Sequence, residues 1–365
     1  MLPTLYVVVN DVRPENMRFI GRITKPMTCL VTEERNKDYT IEASISPTDG
    51  LIDEIRNQRF IMAKPNPTDA PQYFEIQECE YDSIGRLSLK GKHIKHCSYN
   101  NIVTADLDDS GYSDTPLQHW SKVQNSLIFP NYFNFTTNIT NECFIETGYS
   151  KADSLGRFFE ELAAESSGEY HFDNFDIRLL SSRGKQNNYL LRWDRNIENP
   201  QLSLSTSDIK SHVVAYGTVH VNSGSGYDVQ LCSDPYEISG ETSLLNKIFM
   251  FDAAERMRVK EIDSTRAEEI SRVKADLNRV AAAYHGEVAG QESVNLRVDF
   301  RPRLDEMSAV GLCDTINVRL KGGRIVQAKI TKTVFDTLHE RWEAIELGKA
   351  RMNLADIVKR KRGKT

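Results

Sequence analysis

The sequence predicts a β-rich α+β protein, and three observations carry the prediction. Short alternating runs separated by turn residues fill the first hundred positions. A compact helix with one apolar face lies near the middle of the chain. A longer amphipathic helix interrupts a second strand-rich stretch. At 365 residues the chain is also longer than one hydrophobic core usually fills, so more than one domain is expected.

The elements follow in order. "MLPTLYVVVND" alternates in the manner of a first strand. "TCLVTEERNKDYTIEASIS" predicts a hairpin turning at Asn36, Lys37 and Asp38. A strand then runs up to Pro65-Asn66-Pro67, and two more flank Asp82-Ser83. Strands in such close succession point to a closed or nearly closed barrel over 1–104. Near residue 105 the texture changes. "LQHWSKVQNSL" has a weak helical period. In 154–167, Leu155, Phe158, Phe159, Leu162 and Ala163 fall on one helix face, with Ser154 to cap the start and Gly168 the end. Alternation at Phe175, Ile177 and Leu179 and again at Tyr189, Leu191 and Trp193, around "SRGKQNN", predicts a hairpin. Helix and hairpin together suggest an α/β domain over 105–199.

Strands resume at "SHVVAYGTVHV". A helix follows, with Thr265 and Glu268 as a capping box and a stripe of Ile270, Val273, Leu277, Val280 and Tyr284. The stripe reads as a packing face, with a contact between copies as the second use. Strands return after it, ending in a hairpin within "AKITKTVFDTLHERWEAIELGKAR". The expected organisation is a first barrel (1–104), an α/β domain (105–199), a second strand region (200–260 with 293–348), a helical insertion (261–292) and a basic tail (349–365).

Composition excludes several classes. No apolar run reaches the ~20 residues that span a bilayer, and the N-terminus lacks the basic region of a signal peptide. A net charge of −6 gives no reason to expect nucleic acid as a general partner. Cysteines 29, 79, 97, 143, 232 and 313 are scattered without a CxxC, which fits reduced, mostly buried thiols. The sequons at Asn134 and Asn138 then carry no meaning beyond polar loops.

No chemistry emerges from the motifs. "HERWE" has Glu343 where a zinc protease needs its second histidine, and it lies beside a turn, where helical i, i+4 geometry is absent. His93, His96 and Cys97 lack a distant pair to complete a tetrahedral site. Gly224 and Gly226 form a loop with no helix behind it. No cysteine starts a helix after a small-residue elbow. No catalytic, cofactor or metal residue is expected.

Three stretches nevertheless carry a family likeness. "CLVTEERNKDYTIEASI" with "DEIRNQRFIMAKPNPTDAPQYFEI" is the first, and "GEYHFDNFDIRLLSSRGKQNNYLLRWDRNI" the second. The third joins "VNLRVDF", "VGLCDTINVRL" and "AKITKTVFDTLHERWEAIELG". In this order they resemble the prophage tail protein family, often labelled prophage endopeptidase tail, which includes the Tal-type hub proteins of long-tailed phages. The likeness spans roughly 20–348. Ser182 precedes Arg183-Gly184 where the family has an "RRG" turn, and Cys313 stands for the glycine of its "GDTV" strand.

The resemblance implies a phage baseplate hub-like architecture, with two β-barrel domains and two smaller α/β domains in each chain. Three chains would form a ring that closes the tail tube and opens for DNA ejection. Partners would be two further copies, the distal tail protein and the tape measure protein, with DNA passing through unrecognised and the bacterial surface reached indirectly. The expected location is the virion tail tip, after assembly in the bacterial cytoplasm. A tail-associated peptidoglycan endopeptidase is the alternative. In long relatives that activity is attributed to C-terminal domains, whereas about 17 residues follow Gly348 here, so a non-enzyme is expected.

Overall fold

A computed structural model describes residues 1–9, 12–105, 113–192, 197–205, 212–224, 226–237, 248–254, 256–284, 293–300, 310–319 and 325–351. Two compact units are present, one built from 1–202 with 296–353 and the other centred on 203–295. The basic tail beyond Arg351, Trp193 and Gly286 lie outside the described residues.

The first unit opens with β1 (Thr4–Val8), β2 (Met17–Arg22), β3 (Pro26–Glu34), β4 (Tyr39–Ile45), β5 (Phe60–Ala63), β6 (Gln72–Tyr81) and β7 (Leu87–His93). Both expected hairpins form, β3–β4 around Asn36, which takes a φ of 57°, and β6–β7 beyond Tyr81. In β4 and β7 every second residue is buried, the period-2 pattern of a sheet with one wet face.

Next come α1 (Pro116–Val123), β8 (Asn134–Thr137), α2 (Leu155–Glu165), β9 (Glu169–Asp173), β10 (Asp176–Leu180) and β11 (Gln186–Arg192). Ser154 caps α2 through the Arg157 amide at 3.3 Å, and all five residues of the expected helix face are buried. The end of α2 differs from expectation. Ser167 takes the left-handed turn at φ 52°, and Gly168 is needed for space, because a Cβ there would press on Leu179 and Ile139.

The hairpin also differs. Its strands are β9 and β10, turning at Asn174 with a φ of 53°. β11 leaves this layer and runs parallel to β15 (Thr315–Arg319). A parallel partner more than a hundred residues away leaves no trace in local periodicity.

The C-terminal hairpin forms as expected from β16 (Ile325–Asp336) and β17 (Arg341–Arg351). On one side β17 lies beside the strand Ser293–Phe300, which in turn neighbours the strand Ile197–Ser205, and on the other side β16 meets the first sheet. Lys332–Asp336 of β16 pair with Glu34–Leu30 of β3, so the hairpin extends the first sheet. That sheet runs Ile197–Ser205, Ser293–Phe300, β17, β16, β3, β4, β7, β6, β5, β1, β2. It curls strongly, since Thr337, just past β16, donates to the Lys64 carbonyl just past β5 at 2.7 Å. Among the described pairings, though, β2 has only β1 beside it, so of the expected closed or nearly closed barrel the fully closed form is absent.

Sheet and α/β layer share one continuous core. Leu5, Ile41, Phe74 and Leu89 are buried in the same cluster as Trp120, Phe158, Phe159 and Ile177. In the second unit, β12 (His212–Val221) pairs with β13 (Tyr227–Cys232) and, in parallel, with β14 (Ile248–Asp252). Val273, Leu277 and Val280 of α3 (Ala267–Tyr284) are buried with Val213, Val219 and Val221, so the stripe is a packing face.

Candidate functional site

The groups that looked closest to a catalytic or metal set are used for packing or, at His339, for a turn. His93 is fully buried. It stacks on Tyr39 at 4.3 Å, its Nε2 meets the Gln72 side chain at 3.1 Å, and its Nδ1 accepts the Lys95 amide. Burial drives its pKa well down, with Lys95 adding to the effect. His96 stacks on Tyr99, and burial lowers its pKa to about 3. The Cys97 thiol is pushed up to about 12 by burial, which leaves it inert as a nucleophile at neutral pH. His339 sits in the β16–β17 turn, 2.6 Å from Asp336. Among the described residues no three His, Cys, Asp or Glu side chains converge as metal ligands.

What the structure does bring together are the two family turns, Ser182-Arg183-Gly184 and Cys313-Asp314. They touch where the chain crosses from the α/β layer to the sheet. Asp314 accepts the Lys185 amide at 2.9 Å and the Gly311 amide at 3.1 Å, and the Thr315 amide returns to the Lys185 carbonyl at 3.0 Å. Gly184 lies so close that a Cβ would fall on the Cys313 carbonyl. Cys313 keeps the backbone of the glycine it replaces, with a φ of 69°.

Around this crossing lies a buried ionic cluster. The Arg183 guanidinium grips Glu33 of β3 with two bonds, 2.5 and 3.2 Å, and also donates to the Tyr170 carbonyl. Glu169 takes Lys329 at 2.5 Å, the Arg183 amide at 2.9 Å and Arg35 at 3.4 Å. Asp69 lies 3.3 Å from His171 and is held at a pKa of about 2. Burial alone would raise it, but hydrogen bonds from His171 and Asn66 and the Arg183 charge outweigh burial. Each charge has an opposite partner, which is the condition for tolerating charge in an interior. The cluster is a mechanical joint. In the sequence Arg183 and Gly184 stand out as a turn, whereas Glu33 has the pattern of one more strand-face carboxylate.

A surface able to meet another molecule lies elsewhere, at the open edge of the sheet. On β2, Arg18, Phe19 and Arg22 are exposed, Phe19 to 60%. Phe19 meets Tyr6 edge-on at 5.7 Å, and Tyr6 meets Tyr73 at 5.1 Å, so the aromatic stripe is held from beneath. An aromatic and two arginines on a strand edge that is unpaired among the described residues have the composition of an interface centre.

Comparison with solved structures gives the architecture its context. Prophage tail protein gp18 from Listeria monocytogenes EGD-e matches with a TM-score of 0.61 at 13% identity, over 100% of this chain and 99% of that one. The chain has the fold of prophage tail proteins. A tail protein from Neisseria meningitidis MC58 matches with a TM-score of 0.54 at 12% identity, covering 96% and 97% of the two chains. The 43 kDa tail protein of prophage MuSo2 from Shewanella oneidensis gives 0.53 at 10% identity, covering 94% and 98%. No protein-family model and no curated protein matches the sequence. The tail-protein fold agrees with the resemblance carried by the three sequence stretches, and at such identities it rests on geometry.

Proposed function

We propose that this chain is a structural component of a phage or prophage tail, the tail-tip hub, in which three copies form a ring closing the tail tube until DNA is ejected. The observation that carries the proposal is a fold shared end to end with the Listeria prophage tail protein. The open, aromatic and arginine-bearing β2 edge supports assembly, because an exposed strand edge is a liability unless something covers it. A closed cyclic arrangement covers it without leaving free ends. A bore for double-stranded DNA needs to be about 20 Å or wider with a polar or acidic lining, since a basic wall would hold phosphates. The distal tail protein and the tape measure protein are the proposed neighbours, and the chain is proposed to be made and assembled in the bacterial cytoplasm.

Light scattering over a concentration series, alone and with the distal tail protein, tests the reading. A three-copy mass in at least one condition is expected, and a strictly dimeric or tetrameric mass in both would overturn it. The hub reading also expects no release of muropeptides from cell-wall sacculi above a buffer control.

A further inference from the structure

We infer that the contact between copies is heterologous, with the β2 edge of one copy seated on the acidic outer face of β4 and β6 of the next. The inference rests on the ring reading above and names the two surfaces that make the ring.

Among the described residues the side chains of Arg18 and Arg22 make no hydrogen bond or ion pair. Surface arginines on an edge strand often serve only to discourage pairing, and the register irregularity between Leu5 and Tyr6 would help in that. Phe19 speaks against so simple a role. An exposed ring propped on Tyr6, in the middle of the edge, invites association.

The complementary charge lies on the outer face of the same sheet. Glu42, Glu78 and Glu80 surround Lys90, and all three raise its pKa. Register puts Glu42 and Glu78 on either side of Lys90, with Glu80 opposite Ser88. Glu78 holds Lys90 at 3.3 Å. Among the described residues Glu42 and Glu80 have no salt-bridge partner of their own, and Glu42, Glu78, Glu80 and the half-buried Glu75 share this face with Lys90 and Lys92, four carboxylates to two ammoniums. The register shift puts Arg22 on the same side of β2 as Phe19 and Arg18 on the other side, so the two arginines flank the edge. Both surfaces are exposed on one chain, so their natural complement is a second copy. Two unlike surfaces joined head to tail generate rings or filaments, whereas like-to-like contact generates dimers.

The test is charge exchange in the full-length protein, with circular dichroism to confirm folding. R18E/R22E should raise the self-association constant for dissociation about tenfold or more. Adding E42K/E80K to that variant should restore assembly. Sodium chloride at 0.5 M should weaken the wild type in the same direction. If R18E/R22E misfolds, Phe19→Ser replaces it in the same assay. Unchanged assembly of the charge variants beside an assembled wild type would overturn this contact and leave the ring reading standing. Loss of distal tail protein binding with self-association intact would assign the edge to that protein, which also overturns it. A wild type that stays single under every condition removes the ring reading itself.

Discussion

Cys313 shows what one residue can reveal about a turn. Its φ of 69° lies where a Cβ costs ~1–2 kcal/mol, yet its side chain is almost fully buried. Cys313→Gly relieves the backbone and loses the thiol packing, so the change should be near neutral. Cys313→Ala keeps the strain and loses the packing. Urea melts should therefore rank glycine above alanine, the reverse of their order in ordinary backbone; alanine above glycine would refute the assignment. Arg183 offers a larger effect. Arg183→Met strands Glu33 in the interior, and a loss of about 3–5 kcal/mol is expected. Asp69 makes the joint acid-sensitive. Its folded pKa of about 2 lies below the unfolded value near 4. Its stabilisation is then full above about pH 4 and disappears as pH falls through about 2. With allowance for solvent screening this amounts to about 1 kcal/mol, and Asp69→Asn should flatten that part of the stability–pH curve. An unchanged acid limb would show that other carboxylates dominate.

At the scale of elements, legibility followed the range of the interaction. α2 was readable because its face, Leu155 to Ala163, repeats within eleven residues and its cap is the residue before it. The β16–β17 hairpin was readable for a similar reason. Its docking on β3 was not, because β3 lies about three hundred residues away and any half-buried strand offers a similar alternation. β11 was misjudged for the same cause, since pairing in parallel with β15 carries no local turn signal. The ionic joint stayed hidden because a buried Glu33 and an exposed glutamate look alike in a strand. Ser167→Gly tests the one local misreading. Glycine in that left-handed position should stabilise by about 1 kcal/mol. Trp342→Ala should cost about 3–5 kcal/mol, since the ring is buried edge-on against Phe335 at 5.1 Å and anchors the hairpin. A loss below about 1 kcal/mol would mean the hairpin contributes little to the first unit.

For the whole molecule, the decisive feature is that the two units have separate cores. Phe158, Ile177 and Leu5 belong to one buried cluster, and Val213, Val273 and Leu277 to another. A chain with two cores need not unfold in one step, and proteins with more than one domain commonly depart from two-state behaviour. Calorimetry of the full-length protein should therefore give a calorimetric enthalpy above the van't Hoff value, resolvable into two transitions. Leu277→Ala should lower only one of them, because its cavity opens between α3 and β12. Phe158→Ala should lower only the other, because it empties space beside Trp120 in the first unit's core. Each shift should be several degrees, since a core truncation of 2–5 kcal/mol lowers the melting point of a unit of 100–250 residues by at least about 4 °C. If both substitutions lowered a single, two-state transition by similar amounts, the units would fold as one cooperative body.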